Sequence, residues 1–119
     1  MQERRQHPRF QKEYTVIFYL KSDPHKAFDM SRMLDISKGG LKFFSYESYQ
    51  LGSIIVFQVK FPFLYPNVVN IEGQIIGIDP VLAGKTCKIR VMFVNFTPEV
   101  NVALDQMEKI NLKNTNKWI

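Results

Sequence analysis

Two short clusters hold the residue types most able to do chemistry in this sequence. Arg4-Arg5-Gln6-His7-Pro8-Arg9 sets Arg5 and Arg9 four positions apart on a polar stretch. Two guanidinium groups so placed can close on an anion from one side, because arginine bonds to phosphate or carboxylate are charge-assisted and often bidentate. Asp35-Ile36-Ser37-Lys38-Gly39-Gly40 is the second cluster, a D-x-S-x-x-G. It offers a carboxylate that only accepts hydrogen bonds when ionised, a hydroxyl that donates and accepts, and a glycine whose backbone can be approached closely. Each cluster also has a plainer reading. Charges near a chain end are mostly solvated, and D-x-S-x-x-G describes a tight turn in which Asp and Ser cap backbone groups.

The other reactive side chains point away from catalysis. His7 and His25 fall in a terminus and a loop, neither beside a nucleophile. His7 reads either as help to an anion site or as an exposed spacer. No G-x-S-x-G, H-E-x-x-H, P-loop or dinucleotide-binding glycine pattern occurs, so no enzyme activity, metal or cofactor is expected. The single cysteine, Cys87, excludes an internal disulfide framework and a multi-cysteine zinc site. It lies on the inward face of an expected strand, which predicts a buried structural thiol.

Charge and composition bound the partners. A chain of 119 residues with 45% hydrophobic and 23% charged positions is one folded domain's worth. No apolar run approaches the roughly 18 residues that span a bilayer. The N-terminus lacks the apolar core of a secretory signal. A reducing, cytoplasmic setting with no membrane insertion is the expectation. Sixteen Lys and Arg against eleven Asp and Glu give a net charge of +5, which suits an anionic partner. The excess gathers at the ends, in Arg4, Arg5, Arg9 and Lys12 and in Lys109, Lys113 and Lys117. Basic residues are not interleaved with aromatics along one sheet face, as a platform for DNA or RNA requires, so neither is an expected partner.

The elements that must position the two clusters are mostly strands. Alternation and β-branched or aromatic content predict strands over 14–20, 28–34, 40–45, 54–61, 68–78 and 86–94. Ile55, Phe57, Val59 and Phe61 share one face, as do Val69, Ile71, Gly73 and Ile75, and as do Cys87, Ile89, Val91 and Phe93. Gly73 suggests a bulge or a close backbone approach. Turns are expected at Ser22-Asp23-Pro24, Gly39-Gly40, Leu51-Gly52-Ser53, Pro62 to Pro66 and Asp79-Pro80 through Gly84. Thr97 can cap a helix with Pro98 at its first position, and Val100, Leu104, Met107 and Asn111 follow at helical spacing. The last residues, Asn111 to Ile119, are polar apart from Leu112 and Trp118 and read as a fraying tail. Six strands and one helix predict an all-β domain, a six-stranded antiparallel barrel with a C-terminal α-helix.

Taken together and in this order, the arginine cluster just ahead of the first strand and the D-x-S-x-x-G after the second resemble the PilZ domain, a bacterial cyclic-di-GMP-binding module. Ile71-Glu72-Gly73-Gln74-Ile75-Ile76 is similar to that family's glycine-containing strand, and Lys88-Ile89-Arg90-Val91-Met92-Phe93-Val94 to its late strand. The resemblance implies three parts: a basic arm over 1–12, a barrel with its helix over 13–112, and a tail over 113–119. It implies Arg5, Arg9, Asp35, Ser37 and Gly40 as ligand residues, with Arg4 in a position that selects between one bound nucleotide and an intercalated pair. Guanidinium groups can bond O6 and N7 of guanine, grip phosphate or stack on a purine. The guanine N1–H and N2–H₂ edge donates, so a carboxylate at Asp35 complements it.

The function so implied is a cyclic-di-GMP sensor whose arm orders over the barrel and which signals to an effector protein. A degenerate PilZ domain that acts only as a protein-interaction adaptor is the alternative. Three further features have two readings each. Arg90 is either a solvated strand residue or a neighbour of the ligand face. Tyr46 and Tyr49 either flank the pocket or complete the core. The apolar Pro62-Phe63-Leu64-Tyr65-Pro66 loop either docks a partner or covers a barrel end.

Overall fold

The computed structural model describes residues 10–30, 33–81 and 86–116. Within them lie eight strands and one helix: β1 Phe10–Glu13, β2 Thr15–Leu20, β3 Asp23–Met30, β4 Met33–Ile36, β5 Gly40–Ser45, β6 Ile54–Lys60, β7 Val69–Val81, β8 Thr86–Val94 and α1 Pro98–Asn116. A short 3-10 turn, Pro62–Leu64, links β6 to β7. All the strands join one antiparallel sheet in the order β1-β4-β5-β8-β7-β6-β2-β3. The domain is therefore all-β with a C-terminal helix, as the sequence predicts.

The strand count of eight rather than six has a simple origin. Phe10↔Ile36 to Glu13↔Met33 and Val16↔Met30 to Phe18↔Phe28 are one continuous register. β1 and β2 form one arm of a long hairpin, interrupted at Tyr14, and β3 and β4 belong to the other. One end of the hairpin pairs with β5 through β4, and the other with β6 through β2. The ends of the sheet order are thus two parts of the same hairpin.

Several expected boundaries move. Asp23 and Pro24 open β3 instead of making a turn, which shrinks to Lys21 and Ser22. Residues 21–27 are all exposed, so nothing in their hydrophobicity marks a strand. Asp79 and Pro80 continue β7 to Val81. Pairing with β6 stops at Gln74, so Pro80 lies where β7 has β8 on one side only, and its missing N–H breaks no ladder. The bulge is not at Gly73 but between Ile75 and Gly77; at Gly73 it is the Val91 side chain that approaches closely. Phe10 to Lys12, expected in the arm, pair in β1.

The expected inward faces hold. Ile55, Phe57, Val59, Phe61, Val69, Ile71, Ile75, Ile89, Val91 and Phe93 are all buried. Phe18 sits among Phe28, Phe43 and Phe57, with ring centroids 5.2–6.2 Å away, in the offset geometry that aromatic quadrupoles favour. Cys87 is only half-buried, near the ends of β5 and β7, so the expectation of a fully buried thiol is corrected. Val100 N donates to Thr97 Oγ1 at 3.1 Å, the predicted helix cap. Val100, Ala103, Leu104 and Met107 bury one stripe of α1. Asn111 is buried too, so the helix runs on to Asn116 where a fraying tail is expected. Among the described residues no helix is long and apolar enough to cross a membrane.

Candidate functional site

The D-x-S-x-x-G cluster forms the connection from β4 to β5, and its residues do different jobs. Asp35 is half-buried on β4, opposite Lys42 of β5 on one side and Gln11 of β1 on the other. Ser37 is buried. Its Oγ accepts from Gly39 N at 3.2 Å and lies 3.4 Å from the Gly40 carbonyl, while Ser37 N donates to that carbonyl at 2.9 Å. The hydroxyl therefore shapes the turn. At Gly40 a Cβ would fall directly on the Val91 carbonyl of β8. The backbone that approaches this glycine is the protein's own, and Phe93 N donating to Gly39 O at 2.9 Å locks the approach.

Lys38, at the tip of the turn, reaches α1. Its Nζ lies 2.6 Å from Asp105 Oδ1. The hydrogen bond from Lys38 holds the Asp105 carboxyl below its ordinary range, and the same bond raises the Lys38 ammonium. A second tie to the helix comes from Tyr14, at the break between β1 and β2. Burial raises its phenol more than a hydrogen bond with Asn111 of α1 lowers it. The turn, through Lys38, and the break between β1 and β2, through Tyr14, are thus each tied to α1.

Arg4, Arg5, His7 and Arg9 lie outside the described residues. Arg9 is bonded to Phe10, the first residue of β1, and β1 pairs with β4 at Gln11↔Asp35. The chain that carries the arginine cluster therefore joins the sheet beside Asp35. The structure brings Asp35, Ser37 and Gly40 together, as the motif predicts. Sequence reasoning missed the tie from Lys38 to Asp105.

The outer face beyond β5 carries Arg90. It lies opposite Lys42 on one side and Gly77 on the other, and its Nε donates to Asp79 Oδ2 at 3.1 Å. The two tyrosines divide. Tyr49 packs edge-on against Phe43 at 6.4 Å and has its phenol raised by burial, whereas Tyr46 is 71% exposed. In the apolar loop Phe63 lies against buried Phe61 at 5.2 Å, and Tyr65 is exposed. Among the described residues no three His, Cys, Asp or Glu are placed to hold a metal ion.

The PilZ domain family model matches residues 3–108, spanning both clusters, most of the sheet and most of α1. The chain belongs to the PilZ domain family. Its fold is similar to those of three solved PilZ-type structures. For the inhibitor of motility MotI/DgrA of Bacillus subtilis the TM-score is 0.71 at 18% identity, over 94% of this chain and 53% of that one. The PilZ domain of Escherichia coli YcgR, solved with c-di-GMP, gives 0.68 at 17% identity, over 97% and 96%. MrkH of K. pneumonia, a c-di-GMP complex, gives 0.67 at 11% identity, over 98% and 56%. This PilZ chain spans about half the length of MotI and MrkH and nearly all of the YcgR domain. No curated protein matches it by sequence.

Proposed function

We propose that this PilZ domain binds cyclic-di-GMP on the outer face of β4 and β5 and passes the signal to a protein partner. The observation that carries the reading is the register Gln11↔Asp35, which joins the arginine-bearing segment to the sheet beside the D-x-S-x-x-G turn. Arg5 and Arg9 grip phosphates and guanine O6 and N7. Asp35 accepts from the guanine N1–H and N2–H₂ edge. Ser37 and Gly40 hold the turn that presents Asp35. Arg4 suits an intercalated pair of ligands. The solved YcgR domain and MrkH carry c-di-GMP in their structures, which supports the same ligand class here.

Signalling follows from where the turn is braced. Ligand phosphates order the segment before β1 over the sheet and create a surface beside the turn that a partner reads. The domain acts as a cytoplasmic adaptor and not as an enzyme. Calorimetric titration with cyclic-di-GMP, cyclic-di-AMP and GTP tests the ligand. The guanine dinucleotide is expected to bind tightest, because adenine has no N1–H for Asp35. Equal affinity for the two dinucleotides refutes the role of Asp35.

A further inference from the structure

Arg90 stands in a row with the turn. Asp35 is opposite Lys42, Lys42 opposite Arg90, and Arg90 opposite Gly77. Directly opposed residues of antiparallel strands project from one face. The neighbours Ile36, Leu41, Phe43, Ile89 and Val91 are buried, so this row is on the outside. Two strand spacings separate Asp35 from Arg90, about 10 Å.

The guanidinium of Arg90 is held in one orientation. A Cβ at Gly77 would fall against its Nε, Cζ and Nη2 at nearly equal distances. A point equally far from those three atoms, and well beyond a bond length from each, lies over the guanidinium plane, so the group lies flat across the glycine. The bond from Nε to Asp79 Oδ2 fixes the rotation of that plane. The bulge between Ile75 and Gly77 brings the glycine into place, as bulges do where a side chain must be re-aimed. The outward side remains open, since the Arg90 side chain is 44% exposed. An ion pair this exposed contributes little to stability, and a glycine within a strand weakens it. The fold alone does not account for the arrangement.

We propose that Arg90 is a stacking platform that takes the face of one purine of the dinucleotide while Asp35 takes the edge of the other. The proposal rests on the cyclic-di-GMP reading above. A planar, weakly hydrated guanidinium with one face already covered by backbone stacks on a purine without further ordering. A ligand with two purines can reach both ends of the row.

The test is calorimetric titration of the full chain with cyclic-di-GMP, comparing wild type with R90A, R90K, G77A and the R90A/G77A pair. R90A and R90K should each weaken binding by roughly tenfold or more, since lysine keeps the charge and loses the plane. G77A keeps Arg90 and its charge, yet its methyl lifts the guanidinium, so it should weaken binding comparably. In the R90A background it should add almost nothing, because the two residues act as one unit. Thermal unfolding checks that each variant is folded. Wild-type affinity in R90K, or an equal G77A effect in both backgrounds, overturns the platform while wild-type binding still upholds the ligand reading. No binding by the wild type overturns both.

Discussion

Gly40→Ala isolates the feature on which the turn most depends. The added methyl meets the Val91 carbonyl, a backbone atom, so no side-chain rotation relieves the clash. The β5–β8 ladder must part at Gly40↔Met92. Two hydrogen bonds stand to be lost there, Ser37 N to Gly40 O and Phe93 N to Gly39 O, each 2.9 Å long. Each is worth about 1 kcal/mol, and overpacking a tight site costs about 1–3 kcal/mol. The loss is then about 3–5 kcal/mol. For a domain of this size a kcal/mol moves the melting temperature by about 3–5 °C, so a fall of roughly 9–25 °C is expected. Calorimetric or circular-dichroism melting reads it directly, with urea unfolding as a second measure. A G40A variant that melts within about 2 °C of wild type would falsify the close approach of β5 to β8. Weakened cyclic-di-GMP binding by G40A is expected from the dismantled turn alone, without contact between the glycine and the ligand.

Other substitutions should behave differently. Arg5→Ala and Arg9→Ala should change stability by no more than about 0.5 kcal/mol and weaken cyclic-di-GMP binding by roughly tenfold or more; lost thermal transitions would make the segment structural instead. Ser37→Ala removes one acceptor inside the turn and should cost about 1 kcal/mol in urea unfolding, well short of G40A; a neutral result would show the hydroxyl is not holding the turn. The Lys38–Asp105 pair predicts a pH window. Asp105 has its pKa lowered from 3.8 in the fold, so its contribution is present above that value and lost as pH falls through the folded pKa. Lys38 has its pKa raised from 10.5, so its contribution is lost as pH rises through the folded pKa. The melting difference between wild type and Asp105→Asn should be largest near neutrality and shrink at both extremes; a constant difference across pH would remove the pair from the account.

What could be read in the sequence follows what leaves a periodic trace. β6, the first part of β7 and β8 alternate because one face meets the core, and Thr97-Pro98 announces α1 by its capping chemistry. The turn at Asp35 to Gly40 is local, so its residues name it. Only the end of β3, from Phe28, left a trace, because its first five residues, Asp23 to Ala27, are exposed; their strand state comes from pairing with β2. β1 was hidden for a similar reason: it is short, and its partner β4 lies more than twenty residues away. Pro80 misled because a proline usually breaks a ladder, and only the pairing register shows that β7 lacks a second neighbour there. The tie from Lys38 to Asp105 joins segments far apart in the chain, and the bed of Arg90 on Gly77 depends on the shifted register of β7 with β8. No spacing rule reports them.

The central claim is that the ligand sits on the outer face of β4 and β5, bounded by the segment before β1 and by Arg90. Amide chemical-shift mapping during a cyclic-di-GMP titration tests it most directly. The account predicts that the largest changes fall on residues 2–12, on Asp35 to Lys42 and on Arg90 and Gly77. A cavity away from these residues lies between the loop at Leu64 to Val69 and the start of α1 at Pro98 to Ala103. Shifts concentrated there, with Asp35 to Lys42 unmoved, would contradict the account.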